Sequence, residues 1–189
     1  MLVVVGGHSR NIGKTTAMEV ILRACPGPWW AFKVTQHGHG ICSAVGKDCS
    51  CSDGLDHPFA IDEQDAVDKT DSGRYLGAGA QRAFWVRTAV GELAYALPRL
   101  KELLAAAPNA LVESNSILNY LVPDLYVSIA DFSVPDLKQS ARLFLDRADA
   151  IVVTGGVSPW PAVPGRWLHK PRLTMTGLPE FVKTRTNIR

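Results

Sequence analysis

Two patterns of apolar residues alternate along the chain. Short, predominantly apolar runs occur at Leu2–Val5, Trp29–Val34, Phe84–Val86, Ala110–Val112, Leu125–Ile129 and Ile151–Val153, interrupted only by Lys33 and Ser128. Between them lie segments whose apolar residues recur every three or four positions. Thr15–Cys25 carries Ala17, Val20, Ile21 and Ala24; Leu93–Ala107 is stopped by Pro108; Pro135–Ala148 carries Leu137, Ala141, Phe144 and Leu145. Runs with no polar alternation predict strands covered on both faces, and the periodic segments predict amphipathic helices. The expected fold class is therefore α/β, with a doubly wound, mostly parallel sheet. Thr35 to about Pro58 breaks the alternation: it is polar, rich in glycine and cysteine, and longer than an ordinary connection.

The length of 189 residues suits one domain over 1–189, with a Cys/His-rich insertion at about 36–58. A net charge of +2 gives no general attraction to nucleic acid or membrane, although Asp48–Asp71 is acidic and Arg166–Arg189 basic. No apolar run approaches the roughly 18 residues that span a bilayer. The first residues, Met1-Leu2-Val3-Val4-Val5-Gly6, read as a strand rather than a signal sequence. A cytoplasmic location follows as an expectation, and with it reduced thiols. No basic patch with interleaved aromatics marks a nucleic-acid site, and Trp29, Trp30 and Trp85 read as core residues.

The first strand runs into Gly6-Gly7-His8-Ser9-Arg10-Asn11-Ile12-Gly13-Lys14-Thr15-Thr16, and a helix follows. Strand, glycine loop and helix in this order are what a phosphate loop requires. Its backbone N–H groups would turn inward around phosphate oxygens, with the positive end of the helix dipole behind them. The nucleotide-binding residues expected are Asn11, Ile12, Gly13, Lys14, Thr15 and Thr16. Lys14 would neutralise the β- and γ-phosphates of ATP or GTP, Thr15 would offer its hydroxyl to Mg²⁺, and Thr16 would bond the α-phosphate. Five residues separate Gly7 from Gly13, one more than the common spelling of a P-loop NTPase.

A second candidate site lies in the polar stretch. Cys42, Cys49 and Cys51 stand among His37, His39 and His57, with glycines between them. Thiolate and imidazole at this density suit Zn²⁺ ahead of nickel or an iron–sulfur cluster. The expected ligands are the three cysteines with His39 or His57; the alternative is a loop with incidental thiols.

Several stretches resemble the molybdopterin-guanine-dinucleotide biosynthesis adaptor family of signal-recognition-particle-like P-loop NTPases. They are the loop itself, Phe32-Lys33-Val34-Thr35-Gln36-His37-Gly38-His39, Asp71-Ser72-Gly73-Arg74-Tyr75-Leu76-Gly77-Ala78-Gly79-Ala80 and Leu111-Val112-Glu113-Ser114. Val112-Glu113-Ser114 and Val127-Ser128-Ile129-Ala130-Asp131 also resemble the nickel-insertion GTPases of urease and hydrogenase maturation. Those relatives read guanine with Asn-Lys-x-Asp, whereas this chain has Thr154-Gly155-Gly156. The lengthened loop is similar to that of dethiobiotin synthetase. Glu113, at the end of a central strand, is the expected second Mg²⁺ residue. Lys33, grouped with Lys14 as catalytic, would reach the γ-phosphate or a second anionic substrate, or be a solvated lysine. Asp71 and Arg74 form a candidate polar pair, and Asp131 is expected to cap the Pro135 helix, the alternative being a place at the phosphate site. The resemblance implies a slow Mg-dependent GTPase or ATPase acting as an accessory to molybdenum-cofactor or metal-centre assembly. It also implies a partner enzyme and a homodimer. Rival expectations are a metallochaperone NTPase using the cysteine segment, an ATP-dependent small-molecule synthetase or kinase, and a non-hydrolysing nucleotide-binding module.

Overall fold

A computed structural model of the protein describes residues 1–38, 58–156 and 169–186. Its centre is β1 (Leu2–Gly7), hydrogen-bonded in parallel to β5 (Asn109–Glu113) on one side and β6 (Leu125–Asp131) on the other. Outward from β5 come β2 (Trp29–His37), β4 (Arg82–Ala89) and β3 (Phe59–Gln64); outward from β6 come β7 (Ala150–Gly155) and β8 (Arg172–Leu173). Among the described residues every strand pairing is parallel except β3 with β4. Val3, Val4 and Val5 are completely buried. That is why β1 is written as an unbroken apolar run: it meets side chains above and below.

The helices α1 (Lys14–Ala24), α2 (Asp71–Gly77), α3 (Leu93–Ala106), α4 (Gln139–Phe144) and α5 (Leu178–Thr186) cover both faces. On one face Met18 and Ile21 of α1, Tyr75 of α2 and Leu178 and Val182 of α5 pack with Val3, Val5, Trp29 and Leu111. On the other, Leu93, Ala96, Leu100 and Leu103 of α3 pack with Val4, Phe32, Val86 and Val112. The expected α/β class with a mostly parallel sheet is what the chain adopts.

The differences have local causes. β2 continues through Gln36 and His37, paired with Thr88 and Ala89, so the strand takes the first residues of the polar stretch. β3 lies within the acidic run. Phe59 and Ile61 face the α3 core, while Asp62 and Glu63 pair with Arg87 and Arg82 of β4. Trp29 is core as expected, but Trp30 and Trp85 are half-buried beneath the guanidinium groups of Arg82 and Arg87, each 4.2 Å from the ring. The helix expected over Pro135–Ala148 is reduced to α4 and a 3-10 turn, Leu145–Arg147. Residues 131–138 are bonded to the loop after β1 and are not helical.

Candidate functional site

The sheet order decides where a ligand can bind. The chain leaves β1 toward β2 on one side and later crosses to β6 on the other, so strand order reverses at β1. In such sheets ligands lie beyond the carboxyl ends of the strands at the reversal. Four of the singled-out residues arrive there: Gly7 from β1, Lys33 from β2, Glu113 from β5 and Asp131 from β6. The register sets Val5 opposite Glu113, and Glu113 opposite Lys33.

The loop from β1 to α1 is shaped by close approach. A Cβ on Gly6 would stand 2.2 Å from Asn115 Oδ1, so only glycine fits. Asn115 holds the next residue by both faces of its amide: Gly7 N–H donates to Oδ1 at 2.9 Å and Nδ2 donates to Gly7 O at 2.7 Å. Asn11 and Gly13 have left-handed backbones, φ 55° and 97°. They turn the chain back into α1, whose first helical bond is Ala17 N–H to Gly13 O at 2.9 Å. No side chain caps this helix, so its leading N–H groups face the cleft.

His8 and Ser9 take up the extra length of the loop. His8 is fully buried; its backbone extends the β6 ladder by donating to Ile129 O. The Asp131 N–H donates to His8 Nε2 at 3.0 Å, which leaves the proton on Nδ1, 2.8 Å from Asp136 O. Burial, the largest influence, holds the imidazole below its usual pKa and so in this neutral form. Ser9 Oγ donates to Asp136 Oδ2 at 2.6 Å, and Lys138 N–H donates to His8 O at 3.0 Å.

Lys14 curls back over the loop, its ammonium donating to Ser9 O at 2.8 Å. Burial lowers its pKa to about 8, the charges of Lys138 and Lys33 adding to the effect while Glu113 and Asp71 oppose it. This is a cation held without enough anion around it.

Beside it lies a compact polar cluster. Glu113 is 2% exposed. Its Oε1 accepts from Lys33, and its Oε2 accepts from the buried Tyr75 hydroxyl. Thr15 Oγ1 stands 3.0 Å from both Glu113 Oε2 and Asp71 Oδ1. One hydroxyl proton therefore serves two carboxylates in turn. Lys33 also reaches Asp71 Oδ2 at 2.9 Å. Burial works against the Lys33 charge, but Glu113 and Asp71 outweigh it and raise its pKa. Burial likewise pushes Asp71 up; the hydrogen bond and charge of Lys33, with Thr15 and Arg74, outweigh it and hold the carboxyl low. Lys33 is thus an ion-pair member rather than a solvated lysine.

Around these groups opens a cleft of about 940 Å³, lined by five cationic side chains (Arg10, Lys14, Lys33, Arg74 and Lys138) against the carboxylates of Asp71 and Glu113. The expected Asp71–Arg74 pair is present at 3.9 Å, although Arg74 is held more closely by Glu19, at 2.7 Å. One expectation needs correction. Asp131 does not cap a helix: its carboxylate accepts from Ser133 N–H and hydroxyl in a local turn, and α4 begins after Lys138 with no side-chain cap. Cys42, Cys49, Cys51, His39 and His57 lie outside the described residues. Among the described residues no group of three or more His, Cys, Asp and Glu is placed to hold a metal.

Asn115, His8, Tyr75 and Lys138 carry much of the geometry, yet the sequence pattern alone gives them no role. Asn115 follows directly on Glu113-Ser114, which is the one signal that points to it. The others are placed by contacts across the fold that no local pattern announces. Among the described residues no helix is long and apolar enough to cross a membrane. Comparison with known protein families, curated proteins and solved structures yields no match.

Proposed function

We propose that the protein binds a magnesium nucleoside triphosphate between the glycine loop and the Lys33–Glu113 pair, and hydrolyses it slowly, as a P-loop NTPase. The observation that carries this reading is the set of three features at one strand reversal: an uncapped helix start, an under-neutralised Lys14, and a hydroxyl shared by two carboxylates. Loop and helix N–H groups with Lys14 suit the β- and γ-phosphates. Thr16 lines the same cleft and would bond the α-phosphate. Thr15 with Glu113 and Asp71 is a hard-oxygen donor set, which fits Mg²⁺; two carboxylates leave positions for phosphate oxygens and water. Bound there, the ion would neutralise charge on the β- and γ-phosphates. Glu113 already accepts from Lys33, Tyr75 and Thr15, so it is poorly free to take a proton from water, and slow turnover follows. The wider role, by resemblance, is an accessory one in cofactor or metal-centre assembly.

Titration of the full chain with Mg-GTP and Mg-ATP tests the reading. Both should bind, within about a hundredfold of each other, because β7 ends in Thr154-Gly155 rather than a guanine-reading motif. Absence of binding to both at about 1 mM, weaker than roughly −4 kcal/mol, would overturn it.

Lys14 adds a pH signature. A polyphosphate stabilises the ammonium, so the bound-state pKa must exceed the free value of about 8. Below pH 8 the lysine is charged in both states and affinity is flat with respect to it. Above pH 8 the free protein has lost a proton that the complex must regain, so affinity falls, approaching tenfold per pH unit. Lys138, also lowered by burial, acts with the same sign. Calorimetric titration between about pH 7 and 9.5 should show this fall with net proton uptake; a flat profile contradicts it.

A further inference from the structure

We propose that Lys138 is a second cation for the terminal phosphate, supplied by the same chain from the connection between β6 and α4 and acting on the transition state of hydrolysis. The proposal rests on the nucleotide reading above. Lys138 lines the same cleft as Lys14, Thr15 and Lys33. Its place is fixed relative to the loop rather than left to a surface segment. The Lys138 N–H donates to His8 O, Asp131 N–H donates to His8 Nε2, His8 Nδ1–H donates to Asp136 O, and Ser9 Oγ donates to Asp136 Oδ2. Ser9 in turn presents the carbonyl that holds the Lys14 ammonium. One polar staple therefore sets the backbone of Lys138 and the head group of Lys14 in a common frame.

The charges in the cleft divide into two kinds. Lys33 is matched by Glu113 and Asp71, and Arg74 by Glu19. Among the described residues, none of Arg10, Lys14 and Lys138 lies within ion-pairing distance of a carboxylate, and the nearby Asp136 Oδ2 is taken by Ser9. Burial lowers the Lys138 pKa, with Arg10 and Lys33 adding to it and Asp136 opposing. Two crowded ammonium groups facing one cavity are relieved by an anion of more than one charge.

In hydrolysis the water oxygen bonds to the γ-phosphorus while the bond to the β–γ bridging oxygen breaks. The electron pair stays on the β-phosphate of the departing diphosphate, and the water proton passes to a phosphate oxygen. Charge spreads over the γ-oxygens and the bridging oxygen as this happens, and a cation held near them stabilises the transition state more than the ground state. Lys138 carries no proton in this step; it supplies charge.

Single-turnover hydrolysis of Mg-GTP and Mg-ATP by the full chain is the test, read beside affinity for a non-hydrolysable triphosphate. Lys138→Ala should slow hydrolysis by roughly a hundredfold while weakening triphosphate binding less than about fivefold, and Lys138→Arg should restore most of the rate. Where turnover is too slow to follow, capture of nucleoside diphosphate with aluminium fluoride gives the same answer: wild type forms the complex and Lys138→Ala does not. Equal rates and equal capture in wild type and Lys138→Ala overturn the proposal. So does a variant whose binding falls as far as its rate, since Lys138 would then be a uniform binding cation. Failure of the wild type to bind any triphosphate is a different result: it overturns the nucleotide reading, and the role of Lys138 with it.

Discussion

Replacing Lys14 by alanine should abolish useful nucleotide binding and leave the ligand-free protein at least as stable as before. The ammonium meets the loop through one bond, to Ser9 O at 2.8 Å, and sits in the cleft among Lys33 and Lys138. In the free protein the charge is disfavoured, as its lowered pKa records. With a triphosphate present the same charge would make charge-assisted bonds to two phosphates, each worth about 1.5–3 kcal/mol. Loss of at least about a hundredfold in affinity, some ~2.7 kcal/mol, is the expected result. Lys14→Ala should also unfold at or slightly above the wild-type temperature without ligand, because it removes a poorly neutralised cation. The two signs distinguish a ligand-binding lysine from a structural one. A variant that binds Mg-nucleotide within about threefold of wild type would show that the loop is not the phosphate site.

What is legible in the sequence is whatever burial writes locally. β1, β5 and β6 are covered on both faces, so they read as apolar runs, broken only at Ser128, and that pattern alone puts the residues at their ends on the ligand edge. Lys14, Thr15 and Glu113 belong to this class; Lys33 lies within β2 opposite Glu113, and the fold brings all four together. Elements held mainly by long-range contacts are not legible in this way. α2 is seven residues long with Gly73 and Gly77 inside it, and Gly73 is needed because Asp68 packs where a Cβ would stand. α5 lies in the basic segment and is fixed by Leu178 and Val182 against the α1 face of the core. Asn115 and Gly7 are 108 positions apart in the chain and meet only because β5 lies beside β1. The cap expected of Asp131 fails for the same reason: bonds from residues 131–138 to His8 and Ser9 displace the helix it would have capped.

Glu113→Ala should be the most destabilising single change at the site, because its carboxylate is the common acceptor of groups that have little else. Tyr75 is completely buried and donates its hydroxyl to Glu113 Oε2; without that oxygen the hydroxyl is orphaned, a cost of about 1–3 kcal/mol. Lys33 loses one of two carboxylates. Removing one member of a buried ion pair costs about 3–5 kcal/mol where no other partner remains. Here Asp71 stays 2.9 Å from the ammonium, and the Lys33 side chain is 20% exposed, so water and Asp71 reduce the loss. The two costs overlap, and about 2–4 kcal/mol in total is expected, which for a domain of this size lowers the unfolding temperature by roughly 5–15 °C. Glu113→Gln should cost less, since an amide oxygen can still accept from Tyr75 while the charge is gone. The test of mechanism is a double-mutant cycle with Lys33→Met. If the ion pair is the cause, Glu113→Ala should cost about 1–3 kcal/mol less in the Lys33→Met background than in wild type. Equal costs in both backgrounds would assign the loss to Tyr75 alone, and an unfolding temperature unchanged within about 1 °C would show that the cluster contributes nothing to the fold.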